Sequence, residues 1–209
     1  MKSLTPQVHD GFEKRNRAMI RRMIADSDLK KAANDWLTAS AKHEYSYHFS
    51  WLGRPIIQYP QDLVAMQEII WAVKPDLIIE TGVARGGSLI FYASLLELIG
   101  DGQVVGVDID IRAPNRAAIK SHPMFKRITM VEGSSTDEVT ARKIYGLAKD
   151  KARILLVLDS NHAHDHVLKE MQLYSPLVTR GSYMVVFDTV IEDMPAGSFP
   201  SRPWDKGNN

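Results

Sequence analysis

Cysteine is absent from the 209-residue sequence. Its absence excludes disulfides, thiolate metal ligands and cysteine nucleophiles, and it gives no sign of an oxidising compartment. Long apolar runs are also missing, since no stretch approaches the ~20 residues that a membrane-spanning helix needs. The first residues, MKSLTPQVHDGFEKRNR, have no apolar segment of the kind found in a secretory signal. We therefore expect a cytoplasmic protein without a membrane span.

An excess of charge of one sign is lacking as well. The sequence has 26 Lys and Arg against 25 Asp and Glu, a formal net charge of +1. Such a balance produces no global field that would attract nucleic acid or an anionic membrane, so neither is an expected partner. With 44% hydrophobic and 24% charged residues, the composition is that of a globular protein able to bury its own core.

The first 60 residues differ in pattern from the rest. Residues 10–45 are rich in charge, Ala and Met, which predicts one or two helices. Five basic residues between Lys14 and Arg22 indicate a solvated helix face, with a patch for an anionic ligand as the alternative. The segment HFSWLGRPIIQYPQDL then predicts an irregular connector. The connector contains the ring-bearing side chains of Tyr47, His48, Trp51 and Tyr59. These side chains either form a lid over an acceptor molecule or pack against the N-terminal arm.

Beyond the connector, short apolar runs alternate with helical patterns. Strands are predicted at 76–80, 103–110, 127–133, 152–160 and 181–189, with helices between them. Strands that are apolar throughout are typical of a parallel sheet covered on both faces. We predict an α/β fold, a doubly wound, Rossmann-like, mostly parallel sheet flanked by helices, with a helical N-terminal arm. The arm and connector occupy 1–60 and the main domain 61–209.

The segment after Thr189 has three prolines and no further periodic pattern. A doubly wound sheet of this type usually adds another helix and further strands. We therefore expect either that the chain is cut short or that a partner subunit covers the fifth strand as an edge. The second option predicts a homo-oligomer.

Each predicted strand ends in a carboxylate. In open parallel sheets, ligands bind beyond the carboxyl ends of the strands, near the point where the strand order reverses. A ring of negative charge around one crevice is therefore predicted, formed by Glu80, Asp108, Glu132, Asp159 and Asp188.

The turn after the first of these strands reads ETGVARGGS. Its glycines permit positive φ and a close backbone approach, but the G-x-G-x-x-G pattern of a dinucleotide site is missing. Glu80 would repel a pyrophosphate and could hold an ammonium group. Asp108, 28 residues later, stands where an acid commonly binds ribose, and Glu132-Gly-Ser-Ser can flank an adenine. Together these describe S-adenosylmethionine, whereas a tight turn without a ligand is the alternative.

The last two strands indicate a catalytic pair of loops. Asp159 and Asp188 should converge and repel each other unless a cation such as Mg²⁺ lies between them. Asn161 offers a neutral oxygen, and His162 is a candidate general base whose ordinary pKa of about 6.5 suits proton removal from a hydroxyl. A loop histidine without a role is one alternative. A zinc or iron site built from the three histidines of NHAHDH is another.

Four stretches carry a family resemblance: IIETGVARGGSLIFYASLLELIG, VVGVDIDIR, LVLDSNHAHDHVLKEMQLYSPLV and GSYMVVFDT. They resemble the cephalosporin hydroxylase / rhamnosyl O-methyltransferase family, a branch of the class I S-adenosylmethionine-dependent methyltransferases. Related sugar O-methyltransferases use a divalent metal and a histidine base in a D-x-x-H arrangement, which Asp159 and His162 match. The resemblance also implies an acidic pair before Thr189, but Phe187 stands at the first position and leaves only Asp188.

The predicted activity is transfer of a methyl group to a hydroxyl of a small polyhydroxylated or sugar-bearing metabolite. The predicted catalytic residues are His162 and Asp159, and the predicted Mg²⁺ ligands are Asp159 and Asp188. The predicted cofactor site consists of Glu80, Thr81, Gly82, Gly86, Ser88, Asp108, Gly133, Ser134 and Asp159. A nicotinamide-dependent oxidoreductase and a catalytically silent cofactor-binding protein on the same fold are the alternatives.

Overall fold

The computed structural model describes residues 6–209, with side chains from residue 11 onward. The N-terminal segment was predicted not to be a secretory signal, and its first five residues lie outside the described residues. Contacts divide the chain into two compact units between His43 and Glu44. Each unit is described by itself.

The first unit consists of two helices, α1 (Pro6–Ala25) and α2 (Ser27–Ala41). Asp26 separates them, because its carboxylate accepts a hydrogen bond from the Leu29 N–H at 2.9 Å and so caps the start of α2. The basic residues of α1 are exposed, as expected for a solvated helix face.

The second unit contains seven strands and five helices in the described residues. In chain order they are β1 (Phe49–Trp51), β2 (Arg54–Ile56), α3 (Pro60–Val73), β3 (Leu77–Thr81), α4 (Gly87–Ile99), β4 (Gln103–Asp108), α5 (Ala113–Lys120), β5 (Ile128–Glu132), α6 (Glu138–Ala148), β6 (Ile154–Leu158), α7 (His164–Tyr174) and β7 (Met184–Val186). Short 3-10 turns lie at Tyr45–Tyr47, Pro123–Arg127, Ser175–Leu177 and Thr189–Asp193.

The main sheet is parallel throughout, with the strand order β5-β4-β3-β6-β7. The order reverses between β3 and β6, which places a crevice at the carboxyl ends of these two central strands. Helices cover both faces, since Ile78 packs in one apolar cluster with α3 and α4 while Leu77 and Ile79 pack in the other with α6 and α7. The doubly wound fold predicted from the alternation of apolar runs is confirmed.

The connector is more regular than predicted. β1 and β2 pair antiparallel, and Leu52 and Gly53 form the turn between them with φ of 45° and 83°. The Trp51 indole N–H donates to the Ser94 hydroxyl at 3.0 Å, and its ring meets Phe91 edge-on at 4.8 Å. Trp51 therefore packs the hairpin onto α4.

β7 is an edge strand, because within the described residues it pairs only with β6. The segment after it folds back along the carboxyl edge of the sheet. Its Asn208 carbonyl accepts from the His164 N–H at 3.1 Å, and its Trp204 ring lies 4.8 Å from the ring of His162.

No helix in residues 6–209 combines the length and the apolar character needed to cross a membrane.

Candidate active site

The five strand-end carboxylates lie at one edge of the sheet, because the strands that carry them are parallel and in register. Asp108 pairs with Glu132, Thr81 with Leu158, and Leu158 with Val186. The contacts of these carboxylates nevertheless divide them into two groups.

Asp108 and Glu132 have partners within the protein. One oxygen of Asp108 accepts from the N–H groups of Val83 and Ala84 at 2.8 and 3.2 Å, and the other accepts from the Asp110 N–H at 3.0 Å. Asp108 therefore braces the turn after β3. Glu132 pairs with the guanidinium of Arg116 and accepts from the Ile111 N–H at 3.3 Å.

Glu80 has no exposed surface, and its carboxylate has no positive partner among the described residues. Its Oε2 accepts from the Ser88 hydroxyl at 2.7 Å, whereas its Oε1 makes no hydrogen bond of normal geometry to the described residues. Burial raises the pKa of this carboxyl to about 8, with Ser88 and Tyr92 opposing the rise and Asp108 adding to it. At neutral pH a cation against Glu80 would favour its charged form.

Asp159 is half-buried, and its carboxyl likewise has no Lys or Arg partner among the described residues. Burial raises the pKa of its carboxyl well above the ordinary value, and the charges of Asp188 and Glu80 raise it further. Gln58 opposes this rise, because its side-chain amide donates to Asp159 Oδ2 at 2.8 Å. Gln58 is 5% exposed and lies in the connector, 101 residues from its partner. No sequence motif marks Gln58, and it was not predicted.

The remaining strand-end carboxylate, Asp188, contacts His162. We call Glu80, Asp159 and Asp188 the unbalanced group, because no Lys or Arg among the described residues pairs with them. Nε2 of His162 lies 2.9 Å from Oδ2 of Asp188, and the buried ring meets Trp204 edge-on. Asp62, in the first turn of α3, was also not predicted to belong here. Burial raises the pKa of Asp62, and the charge of Asp188 raises it further.

The side chains of Asp159, His162 and Asp188 could hold a metal ion, since one ligand atom from each lies within 4.8 Å of the others. Two carboxylates and an imidazole suit a divalent cation. Phe187 is buried in the core, so its side chain fills apolar space where the family pattern implied an acid. The amide oxygen of Asn161, a predicted ligand, accepts from the Ala163 N–H at 2.9 Å.

The three-histidine alternative does not form. His162 precedes α7, whereas Nε2 of His166 lies 3.2 Å from the hydroxyls of Ser135 and Ser160. His164 is exposed beside Asp165. Among the described residues, the cluster suited to a metal contains His162 alone of the three.

The glycines of the turn are required by packing inside the protein. A Cβ on Gly82, where φ is +94°, would lie 2.0 Å from the backbone oxygen of Asp159. A Cβ on Gly86 would meet Ile119, and one on Gly87 would lie 2.2 Å from the backbone oxygen of Pro55. The turn therefore needs glycine because neighbouring protein atoms pack closely against its backbone. Close approach of a ligand to the same backbone stays a prediction.

An open cleft of about 290 Å³ lies over this turn. It brings together three of the predicted cofactor residues, Gly82, Ser88 and Asp159. The other predicted cofactor residues are not part of its lining, namely Glu80, Thr81, Gly86, Asp108, Gly133 and Ser134. The Ser134 hydroxyl lies 3.0 Å from that of Thr136. The Thr81 hydroxyl is buried without a hydrogen-bond partner among the described residues.

A family model described as Rhamnosyl O-methyltransferase/CmcI matches residues 43–209. Relatives named rhamnosyl O-methyltransferase include one from Mycobacterium tuberculosis (strain ATCC 25618 / H37Rv), 36% identical over 136 residues, and one from Mycobacterium leprae (strain TN), 34% identical over 148 residues. The matches cover 64% and 70% of this chain but 54% and 62% of the relatives. The chain thus spans little more than half the length of these relatives.

Two solved structures share the fold. One is a form of CmcI described as Mg-SAM, with a TM-score of 0.53 and 23% identity, covering 69% of this chain and 59% of that chain. The other is the O-methyltransferase NovP, with a TM-score of 0.51 and 17% identity, covering 62% of this chain and 65% of that chain. The chain therefore shares its fold with CmcI and with the O-methyltransferase NovP. More narrowly, the chain belongs to the Rhamnosyl O-methyltransferase/CmcI family, as its sequence motifs predicted.

Proposed function

We propose that this chain forms the cofactor-binding and catalytic part of an S-adenosylmethionine-dependent O-methyltransferase. Its acceptor is a hydroxyl on a small polyhydroxylated or sugar-bearing metabolite. The observation that carries the proposal is a group of acids beside the cleft at the switch point of the sheet. Among the described residues these acids, Glu80, Asp159 and Asp188, have no Lys or Arg partner, and His162 contacts Asp188 alone of the three. Rhamnosyl O-methyltransferase, the name of the relatives, supports a sugar hydroxyl as the acceptor.

The cofactor is assigned to the cleft over the turn after β3. Burial is the main cause that raises the pKa values of Glu80 and Asp159, and a sulfonium or an ammonium group beside them would favour their charged forms. Asp108 holds the turn in shape through the backbone, and it is assigned to the ribose as well. Gly133 and Ser134 are assigned to the adenine side.

His162 is assigned as the general base. If its Nε2–H is donated to Asp188 Oδ2, the lone pair that takes the proton is on Nδ1. S-adenosylmethionine, when bound, would supply a methyl group on a positively charged sulfur and would leave as the neutral thioether. His162 would take the proton of the acceptor hydroxyl on Nδ1 as that oxygen receives the methyl group. Alignment of oxygen, carbon and sulfur supplies up to about 7–11 kcal/mol of the rate enhancement.

A divalent metal fits the donor set, and Mg²⁺ is the proposed ion. Asp159 and Asp188 would hold it, and when bound it would lower the pKa of the acceptor hydroxyl. Asp188 has two assignments, since it also contacts His162. A cation would reduce the repulsion that raises the pKa of Asp159.

The test has two stages. Calorimetric titration with S-adenosylhomocysteine is expected to show micromolar binding, about −8 kcal/mol, whereas NAD is expected not to bind. Labelled methyl transfer is then measured on a panel of rhamnosides and other sugars, with Mg²⁺ or with EDTA. Binding without transfer to any acceptor would support the catalytically silent alternative. Binding of NAD alone would support an oxidoreductase and contradict the proposal.

Three further assignments belong to the proposal. They are a small-molecule acceptor, a homo-oligomer in which a partner subunit covers the β7 edge, and a cytoplasmic location.

A further inference from the structure

A polar stripe on α7 is not used by the mechanism above. His166, Glu170 and Tyr174 follow one another at intervals of four residues, so they share one face of the helix. This face meets two loops, one after β5 and one after β6. Every contact described below lies within the second unit.

The stripe ties the two loops together. Glu170 Oε1 accepts from the Ser160 hydroxyl at 2.6 Å, and His166 Nε2 lies 3.2 Å from the hydroxyls of both Ser160 and Ser135. Nε2 also lies 3.4 Å from Glu170 Oε1. The Tyr174 hydroxyl donates to the backbone carbonyl of Ser135 at 2.7 Å. Ser135 and Ser160 are thus held by the same helix face.

Glu170 is expected to lower the stability of the fold at this position. The residue has no exposed surface, and its Oε2 has no hydrogen-bond partner among the described residues. Burying a carboxylate oxygen without a partner destabilises a fold, and an apolar residue of similar size there is often neutral or stabilising. Stability therefore does not account for Glu170.

The position of the two serines offers a reason. Ser160 directly follows Asp159, and Ser135 directly follows Ser134. Both preceding residues are assigned to the cofactor site, Asp159 in the cleft over the turn after β3 and Ser134 on the adenine side. A change in the distance between the two loops would move one side of that site relative to the other.

We propose that Glu170 and His166 are positioning residues that lock the loop after β5 to the loop after β6 and thereby set the geometry of the cofactor site. They act through Ser135 and Ser160 and do not touch the cofactor themselves. This inference rests on the proposed function, since it is the cofactor that needs the two loops at a fixed spacing.

The decisive variant is Glu170→Leu. It removes the acceptor of the Ser160 hydrogen bond while filling the same space. The expected result is an unchanged or higher melting temperature together with a loss of about tenfold in S-adenosylhomocysteine affinity. Glu170→Gln keeps an oxygen for Ser160 and should stay within about threefold of the wild type. Gln172→Leu, an exposed position on the same helix, is the matched control and should change neither quantity.

Hydrogen exchange measured without ligand separates this inference from the proposed function. Residues 133–136 and 159–161 are expected to exchange about tenfold faster in Glu170→Leu than in the wild type, because local opening costs less when the lock is lost. If the wild type fails to bind S-adenosylhomocysteine, the proposed function fails while the exchange result still reports on the lock.

Two outcomes would overturn the inference. One is wild-type affinity and wild-type exchange in Glu170→Leu. If Glu170→Leu does not fold, the contradicting outcome is wild-type affinity for S-adenosylhomocysteine in both Ser135→Ala and Ser160→Ala. By contrast, similar losses in the two serine variants, with no further loss when they are combined, would support a single shared lock.

Discussion

The carboxylates at the rim of the sheet fall into two halves that differ in charge balance. On the β4–β5 side, Asp108 and Glu132 are matched by backbone N–H groups and by Arg116. On the β3–β6–β7 side, Glu80, Asp159 and Asp188 lie together with no basic partner except a histidine. The first half stabilises the turn by itself, whereas the second half is where we propose that a cation binds.

This difference shows that five carboxylates at equivalent strand ends do not all have the same role. A carboxylate that accepts three hydrogen bonds has its charge compensated by the protein. A buried carboxylate without such partners shifts its pKa upward, and a site of that kind favours a positive ligand. The two halves should therefore fail in different ways when they are mutated.

The largest effect is expected for His162→Ala in the unbalanced half. Loss of a general base should lower kcat by about 10²–10⁴-fold. Affinity for S-adenosylhomocysteine should stay within about threefold, because His162 is not assigned to the cofactor. Labelled methyl transfer and calorimetry measure the two quantities, with His164→Ala as the exposed control. Equal losses of affinity and turnover would remove the distinction between the two roles.

Glu80→Gln should reveal the next largest effect, in the pH dependence of stability. The pKa of Glu80 in the folded protein, about 8, lies above its ordinary 4.5. Folding therefore favours the protonated form, and its contribution is complete below pH 4.5 and is lost as the pH rises through 8. A pKa about 3.5 above the ordinary value corresponds to about 5 kcal/mol.

Urea unfolding between pH 5 and 9 measures this loss. Glu80→Gln should show a smaller loss than the wild type, and the part that remains should come from Asp159 and Asp62, whose pKa values are also raised. Glu132→Gln, on the balanced side of the same rim, is the matched control and should keep it. Saturating S-adenosylhomocysteine should reduce the loss in the wild type, since the ligand's ammonium group would stabilise the ionised carboxylate. A wild type whose stability is flat over this range would contradict the account of Glu80.

Asp108→Ala tests the balanced half and should cost less, about 2–4 kcal/mol of unfolding free energy, because three N–H groups lose a charged acceptor. Cofactor affinity should fall with it by at least about tenfold, because the turn loses its brace. Asp110→Ala, whose side chain is exposed, is the control. A variant that loses affinity but keeps full stability would show that Asp108 serves the ligand and not the turn.

The smallest effect is expected for Gln58→Leu. Without the amide N–H, the pKa of Asp159 should rise further, so that a proton competes better with a metal at neutral pH. We expect Mn²⁺ affinity, used as a probe for Mg²⁺, to fall about fivefold, near 1 kcal/mol. Gln61→Leu, an exposed glutamine three residues away, should leave it unchanged. Unaltered Mn²⁺ binding in Gln58→Leu would count against a role for this amide.

The sheet could be predicted from sequence because its strands are apolar throughout and separated by helical patterns. β6, for instance, lies within its predicted range, and β3 extends one residue beyond its predicted end at Glu80. Both strands are buried at every position. The β1–β2 hairpin was missed, since two strands of three residues produce no periodicity. β7 was predicted too long, because Asp188 adopts φ of +60° and begins a 3-10 turn.

The candidate site was predictable only where its residues follow a strand. Glu80, Asp159 and Asp188 could be found in this way. Gln58 could not be found, because it reaches the site through a contact between segments 101 residues apart. The division into a balanced and an unbalanced half could not be predicted either, because it depends on which backbone N–H groups point at which carboxylate.

The fit between Gly82 and the backbone of Asp159 has a consequence for variation in this family. A Cβ at residue 82 would lie 2.0 Å from that carbonyl oxygen, so the turn after β3 packs directly against the backbone after β6. Neither loop can drift without displacing the other. Attempts to enlarge the proposed cofactor cleft should therefore alter both loops together, or leave both loops unchanged and substitute residues of the connector instead.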